Sequence, residues 1–311
     1  MQSEGIFKKI LVPTDGSSPS MIAQELTAFI AKIFKSKVTV IHIVAHELMH
    51  PQLQKFLAES EEYVPITPSD QGVMMERVPM PAATSPLVVY REISDLYRQR
   101  GEEVLKDSVA IFKKEGIPVD EKLIELADPA ETIINETERG NYDLIVIGHS
   151  GEEEQEPHLG SVAKKVSQHV KIPVLIAREK RQVSKILVPV DGSENSEKAL
   201  QYAALLTKKT NAEMTLLYVQ ESGLFKLRPE VSKKIGARIL SEAADQIKGI
   251  KLDRKLESGD PARTITQTAS EENYDLIVMG SKGHSAVAQL LLGSVTDHVI
   301  HYANRSVLII K

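Results

Sequence analysis

Nothing limits the fold of this chain more than the fact that it repeats itself. Lys9-Ile-Leu-Val-Pro-Thr-Asp-Gly-Ser17 returns as Lys185-Ile-Leu-Val-Pro-Val-Asp-Gly-Ser193, identical at 8 of 9 positions at an offset of 176. Asp128-Pro-Ala-Glu-Thr-Ile133 returns as Asp260-Pro-Ala-Arg-Thr-Ile265, and Asn141-Tyr-Asp-Leu-Ile-Val-Ile-Gly148 as Asn273-Tyr-Asp-Leu-Ile-Val-Met-Gly280, both at an offset of 132. Similarity at domain length means that two consecutive domains solve the same packing problem, here residues 1–180 and 181–311. The fall in offset places an insertion of about 44 residues in the first copy, after its second strand, and residues 46–90 hold six of the 15 prolines. That proline density is expected to give a surface excursion rather than a strand or a long helix.

Within each copy short apolar runs alternate with helical stretches. Ile10 to Val12, Val38 to Val44, Leu144 to Ile147 and Val174 to Ala177 read as buried parallel strands. Ser18-Pro19, Asp128-Pro129 and Asp260-Pro261 each place a capping residue before a proline at a helix start. The expected fold class is α/β: two consecutive five-stranded, parallel, doubly wound sheets with ligands at the carboxyl ends of the strands.

Composition removes several classes of function. The absence of cysteine excludes disulfides, thiolate nucleophiles and sulfur-ligated zinc. A net charge of −5 gives no footprint for nucleic acid. No run of about 20 apolar residues suggests a membrane span, and the first residues lack the apolar stretch of a signal peptide, so cytoplasmic residence is the expectation. No Gly-x-x-x-x-Gly-Lys-Ser/Thr element, Gly-x-Ser-x-Gly elbow or carboxylate pair at strand ends supports a hydrolase, so catalysis is expected to be absent or limited to slow ATP turnover. His42, His46 and His50 recur every four residues but start on a strand, so they are read as surface histidines rather than a metal site. The Glu102-Glu103 to Lys106-Asp107 charges read as a solvated helix face.

The second copy carries an anion-binding layout. Gly280-Ser281-Lys282-Gly283 follows its fourth strand, nine residues intervene, and Gly293-Ser294-Val295 then opens a helix. Bare glycines let backbone N–H groups approach an anion, and a helix N-terminus adds open donors. Lys282 and His284 lie in the same loop, while Asp191 stands at the neighbouring strand end, suited to ribose hydroxyls. In the first copy Gly148-His-Ser-Gly151 is followed by only eight residues before Gly160-Ser161, and those include Glu152, Glu153, Glu154 and Glu156. Like charges about 4 Å apart cost about 1 kcal/mol even in water, so Asp15, Gly148, Gly151, Gly160 and Ser161 are expected to preserve a degenerate site.

Through Leu187-Val-Pro-Val-Asp-Gly-Ser193 and the spacing Gly280-x2-Gly283-x9-Gly293-Ser294, the chain resembles the universal stress protein family, twice over and in its ATP-binding branch. The resemblance implies adenine nucleotide alpha-hydrolase-like domains, a stress-response role, and ATP (or ADP or AMP) with Mg²⁺ as ligand. It further implies a nucleotide site built from Pro189, Val190, Asp191, Val219, Met279, Gly280, Ser281, Gly283, Gly293, Ser294 and Val295. Pairing of the domains through Pro173 to Ala177 and Val307 to Ile310 is implied too, with a dimer of tandem chains beyond it. The function expected is nucleotide-controlled association or signalling. The alternative is a scaffold or carrier that binds a protein, lipid or apolar ligand through Met49, Leu53, Phe56, Leu57, Val73, Met74 and Met75 of the insertion.

Overall fold

The computed structural model describes residues 6–45, 86–151, 159–179, 182–221, 229–247, 249–283 and 292–311. The first copy runs β1 (Lys9–Pro13), α1 (Ser18–Phe34), β2 (Lys37–Ala45), α2 (Pro86–Lys114), β3 (Val119–Ala127), α3 (Pro129–Arg139), β4 (Leu144–Gly148), α4 (Ser161–His169) and β5 (Val174–Ala177). The second runs β6 (Lys185–Pro189), α5 (Glu194–Thr210), β7 (Glu213–Glu221), α6 (Pro229–Asp245), β8 (Leu252–Gly259), α7 (Pro261–Glu271), β9 (Leu276–Gly280), α8 (Ser294–Tyr302) and β10 (Ser306–Ile310).

Ten strands form one sheet in the order β3-β2-β1-β4-β5-β10-β9-β6-β7-β8, parallel within each half. The halves join where β5 meets β10 antiparallel, Val307 opposite Ile176 and Ile309 opposite Val174. Two edges that each domain would otherwise expose thus satisfy one another. Alternation along the strands sends Ile10, Val12, Leu144 and Val146 to one face and Leu11, Ile145 and Ile147 to the other. The first face is covered by α1, α2, α5 and α6, the second by α3, α4, α7 and α8, and both apolar layers run through the joint.

Two expectations need correction. The cap of α1 is Ser17, whose hydroxyl accepts from the Ser20 N–H, so Ser18 already lies in the helix and Pro19 in its first turn. Residues 86–90, placed in the insertion, instead begin the 29-residue α2; Pro86 opens it because the first helical position needs no N–H donor. The rest of the insertion, with the apolar residues of the carrier alternative, lies outside the described residues. Asp128 and Asp260 do cap α3 and α7, at 2.6 and 2.8 Å. The four charges from Glu102 to Asp107 are exposed on α2.

Candidate functional site

In the second domain the site begins where β6 ends. Asp191 Oδ1 accepts the Ser193 N–H at 2.9 Å and the Ser193 hydroxyl at 2.6 Å, and Ser193 in turn caps α5. This turn needs φ +80° at Gly192, the left-handed region that glycine enters without strain. The other carboxylate oxygen faces the loop after β9: a Cβ on Gly283 would stand 2.4 Å from Asp191 Oδ2. Gly283 is therefore required for the carboxylate and the loop backbone to lie side by side.

The loop is pinned at its base. The Ser281 N–H donates to the Ile310 carbonyl at 2.7 Å and the Gly293 N–H to the Ser281 carbonyl at 2.8 Å. These two amides belong to the fold, and an anion must use others. The first turn of α8 offers them, because Gly293 caps that helix without a side chain and Ser294, Val295 and Thr296 are its opening residues. Ser294 is exposed and Val295 half-buried, while the Thr296 hydroxyl donates to the Gly280 carbonyl at 2.8 Å. Gly280 itself answers a steric demand: a Cβ there would meet the Asn195 backbone at 2.7 Å, so this glycine seats α5 on the strand end. Lys282 is half-buried, and His284 lies outside the described residues.

Among the apolar candidates, Val219, Met279 and Val295 converge on one apolar layer at the carboxyl edge. Pro189 ends β6 opposite Leu217. Val190 points the other way, into the layer beneath α5, where it joins Leu200. Tyr218 was not anticipated; it is half-buried, and burial, then the charge of Asp191, raises its phenol above the ordinary value.

The first domain builds the same frame. Asp15 Oδ1 accepts the Ser17 N–H at 3.0 Å and its hydroxyl at 2.5 Å, and a Cβ on Gly151 would lie 3.1 Å from Asp15 Oδ2. Gly160 donates to the His149 carbonyl at 2.7 Å and caps α4 without a side chain, leaving Ser161 exposed, and a Cβ on Gly148 would meet the Pro19 backbone at 2.7 Å. The four loop glutamates lie outside the described residues.

The floor differs. Thr14, Gln24 and His42 stand where the second copy has Val190, Leu200 and Tyr218. The Gln24 amide donates to Thr14 Oγ1 at 3.0 Å, and Thr14 meets the Ser20 hydroxyl at 3.1 Å. Gln24 Oε1 is buried with no hydrogen-bond partner among the described residues. His42, expected at the surface, is half-buried and donates from Nδ1 to the Thr14 carbonyl at 2.8 Å. Burial holds its pKa below the ordinary value despite that bond and the nearby Asp15 carboxylate. His46 and His50 lie outside the described residues.

The family model for the universal stress protein family matches residues 6–178 and again 182–311. The universal stress protein YxiE of Bacillus subtilis is 35% identical over 147 residues, covering 41% of this chain and 99% of that protein. The universal stress protein MJ0577 of Methanocaldococcus jannaschii is 30% identical over 154 residues, covering 41% and 94%. Among solved structures, a universal stress protein from Archaeoglobus fulgidus superposes with a TM-score of 0.69 at 25% identity, covering 98% of each chain. A putative universal stress protein from Pseudomonas aeruginosa gives 0.63 at 14% identity over 99% of this chain and 94% of its own, a likeness of fold. Among the described residues no helix is long and apolar enough to cross a membrane.

Proposed function

Because the chain belongs to the universal stress protein family and carries two of its domains in tandem, we propose that the second domain binds an adenine nucleotide, ATP with Mg²⁺, and that occupancy regulates association or signalling. The observation that carries this reading is the closeness of Asp191 Oδ2 to Gly283, where a Cβ would stand 2.4 Å away, so that a carboxylate suited to ribose hydroxyls lies beside loop backbone that bears no side chain at that position. Phosphates would lie against the opening N–H groups of α8, with Lys282 and the Ser294 hydroxyl as further donors. Val219, Met279 and Val295 supply an apolar wall for the base. Mg²⁺ arriving with the nucleotide would screen phosphate charge. The first domain is proposed to hold a degenerate site with weak or altered preference, because its acidic loop repels a polyphosphate.

The test is to release and identify small molecules from the purified protein, then titrate Mg-ATP into wild type and Gly283→Asp. The substitution places a carboxylate in the loop where the phosphate would lie, and like charges at about 4 Å cost about 1 to 4 kcal/mol, so affinity should fall about fivefold to several hundredfold. Equal affinity in the two proteins would remove the proposed site.

A further inference from the structure

The domain joint carries a reciprocal pair of basic side chains that the strand pairing alone does not require. Arg178, just beyond β5, donates from Nη2 to the Ile300 carbonyl in the last turn of α8 at 2.7 Å. Lys311, just beyond β10, donates from Nζ to the Ser167 carbonyl in the last turn of α4 at 2.5 Å. Arg178 and Lys311 occupy equivalent positions in the repeat, as do Ser167 and Ile300. Each domain thus caps the other's final helix, placing a cation at the negative end of its dipole.

The two caps differ in one respect. Burial lowers both groups, Arg178 to about 10 and Lys311 to about 8, so the arginine stays charged at neutral pH while the lysine titrates close to it. Lys311 also faces Lys282 of the loop after β9, whose like charge lowers it further. From α4 it faces the Ser167 carbonyl, while Arg178 at the end of neighbouring β5 engages α8. The same loop is tied to the residue before Lys311 by the Ser281–Ile310 hydrogen bond.

We propose that Lys311 couples the phosphate loop to the joint, so that an anion held beside Lys282 tightens the second domain's grip on the last helix of the first. This rests on the reading of that loop as a phosphate site. An anion there offsets the charge of Lys282 and favours the protonated lysine, and a charge-assisted hydrogen bond to Ser167 is stronger than one from a neutral amine. By linkage, ligand binding then takes up a proton in the window just above pH 8.

Two arms test it in the full chain. Without nucleotide, the Lys311 side chain is titrated by NMR, its signal assigned by loss in Lys311→Met. Lys282→Glu should raise the midpoint by roughly one unit, and Lys282→Gln, the milder change, by less. An unmoved midpoint in both overturns the coupling. In the second arm Mg-ATP is titrated calorimetrically near pH 9 in buffers of different ionisation enthalpy; proton uptake should appear in wild type and be lost in Lys311→Met. Binding without Lys311-dependent uptake also overturns the coupling. If Mg-ATP fails to bind while Lys282→Glu still moves the midpoint, the nucleotide reading falls and the coupling stands.

Discussion

At one carboxyl edge of the sheet Thr14, Gln24 and His42 form a polar floor, whereas at the other Val190, Leu200 and Tyr218 form a mainly apolar one, beneath the same turn. The frame above both floors is shared: an aspartate holding its serine, a loop glycine against the second carboxylate oxygen, and a glycine cap on the following helix. Backbone geometry at the two edges is therefore set by the glycines and the aspartate. The two copies differ in the floor and in loop charge.

The shared frame is tested by the substitutions with the largest expected effect on stability. Gly148→Ala and Gly280→Ala each drive a methyl into helix backbone 2.7 Å away. Each should cost about 1–3 kcal/mol in chemical denaturation, by similar amounts in the two domains. A large cost in one domain and none in the other would break the equivalence.

Exchanging the floors sharpens the contrast. Val190→Thr introduces a hydroxyl beside Leu200, which offers no partner, and leaves it only Ser196, the equivalent of Ser20, so it should cost about 1 kcal/mol. Thr14→Val alone strands the Gln24 amide as well as the Gly16 N–H and should cost a similar amount, while Thr14→Val with Gln24→Leu should cost less, because the buried amide leaves with its partner and the part-buried Gly16 N–H alone is left open. A double-mutant cycle reads the difference. Additive losses would mean that the pair does not act as a unit.

Loop charge comes next in magnitude. Replacing Glu152, Glu153, Glu154 and Glu156 by glutamine should raise the first domain's affinity for Mg-ATP about tenfold, corresponding to about 1.4 kcal/mol. Calorimetric titration of that variant in the Gly283→Asp background isolates the first domain. No gain would assign the weakness to the floor instead.

The smallest effect is a pH dependence at His42. Its folded pKa lies below the unfolded value, so the unfolded chain binds more protons between the two. The contribution is intact above about pH 6.5 and is lost as pH falls through that window toward the folded value. His42→Tyr, which restores the residue of the second copy, should flatten the stability profile between about pH 7 and 5. An unchanged slope would show that His42 is not the group responsible.

Much of the fold was legible because the repeat supplied its own control: two copies of Lys-Ile-Leu-Val-Pro and of Asn-Tyr-Asp had to be strand starts or neither. The pairing of the last strands followed from the family resemblance and is seen in the register of β5 on β10. The cap of α1 was less accessible, since Ser17 and Ser18 both precede Pro19 and only the hydroxyl geometry chooses between them. Composition also misjudged Pro86, because a proline that disrupts a helix interior serves well at its first turn.

At the site, residue type identified the glycines but not their separate duties. Gly280 seats a helix, Gly283 accommodates a carboxylate, and the Gly293 and Ser281 amides close the loop. These distinctions depend on which backbone lies opposite, and one strand's sequence does not carry that information. The floor contrast was available in principle. Aligning the copies at an offset of 176 sets Thr14 on Val190, Gln24 on Leu200 and His42 on Tyr218.

The central claim is that one of two matching frames is competent for nucleotide. It is tested most directly by the stoichiometry of Mg-ATP binding in wild type, Gly151→Asp and Gly283→Asp. The account predicts one tight site per chain, retained in Gly151→Asp and lost in Gly283→Asp. Two tight sites per chain, or a tight site that survives Gly283→Asp, would contradict it.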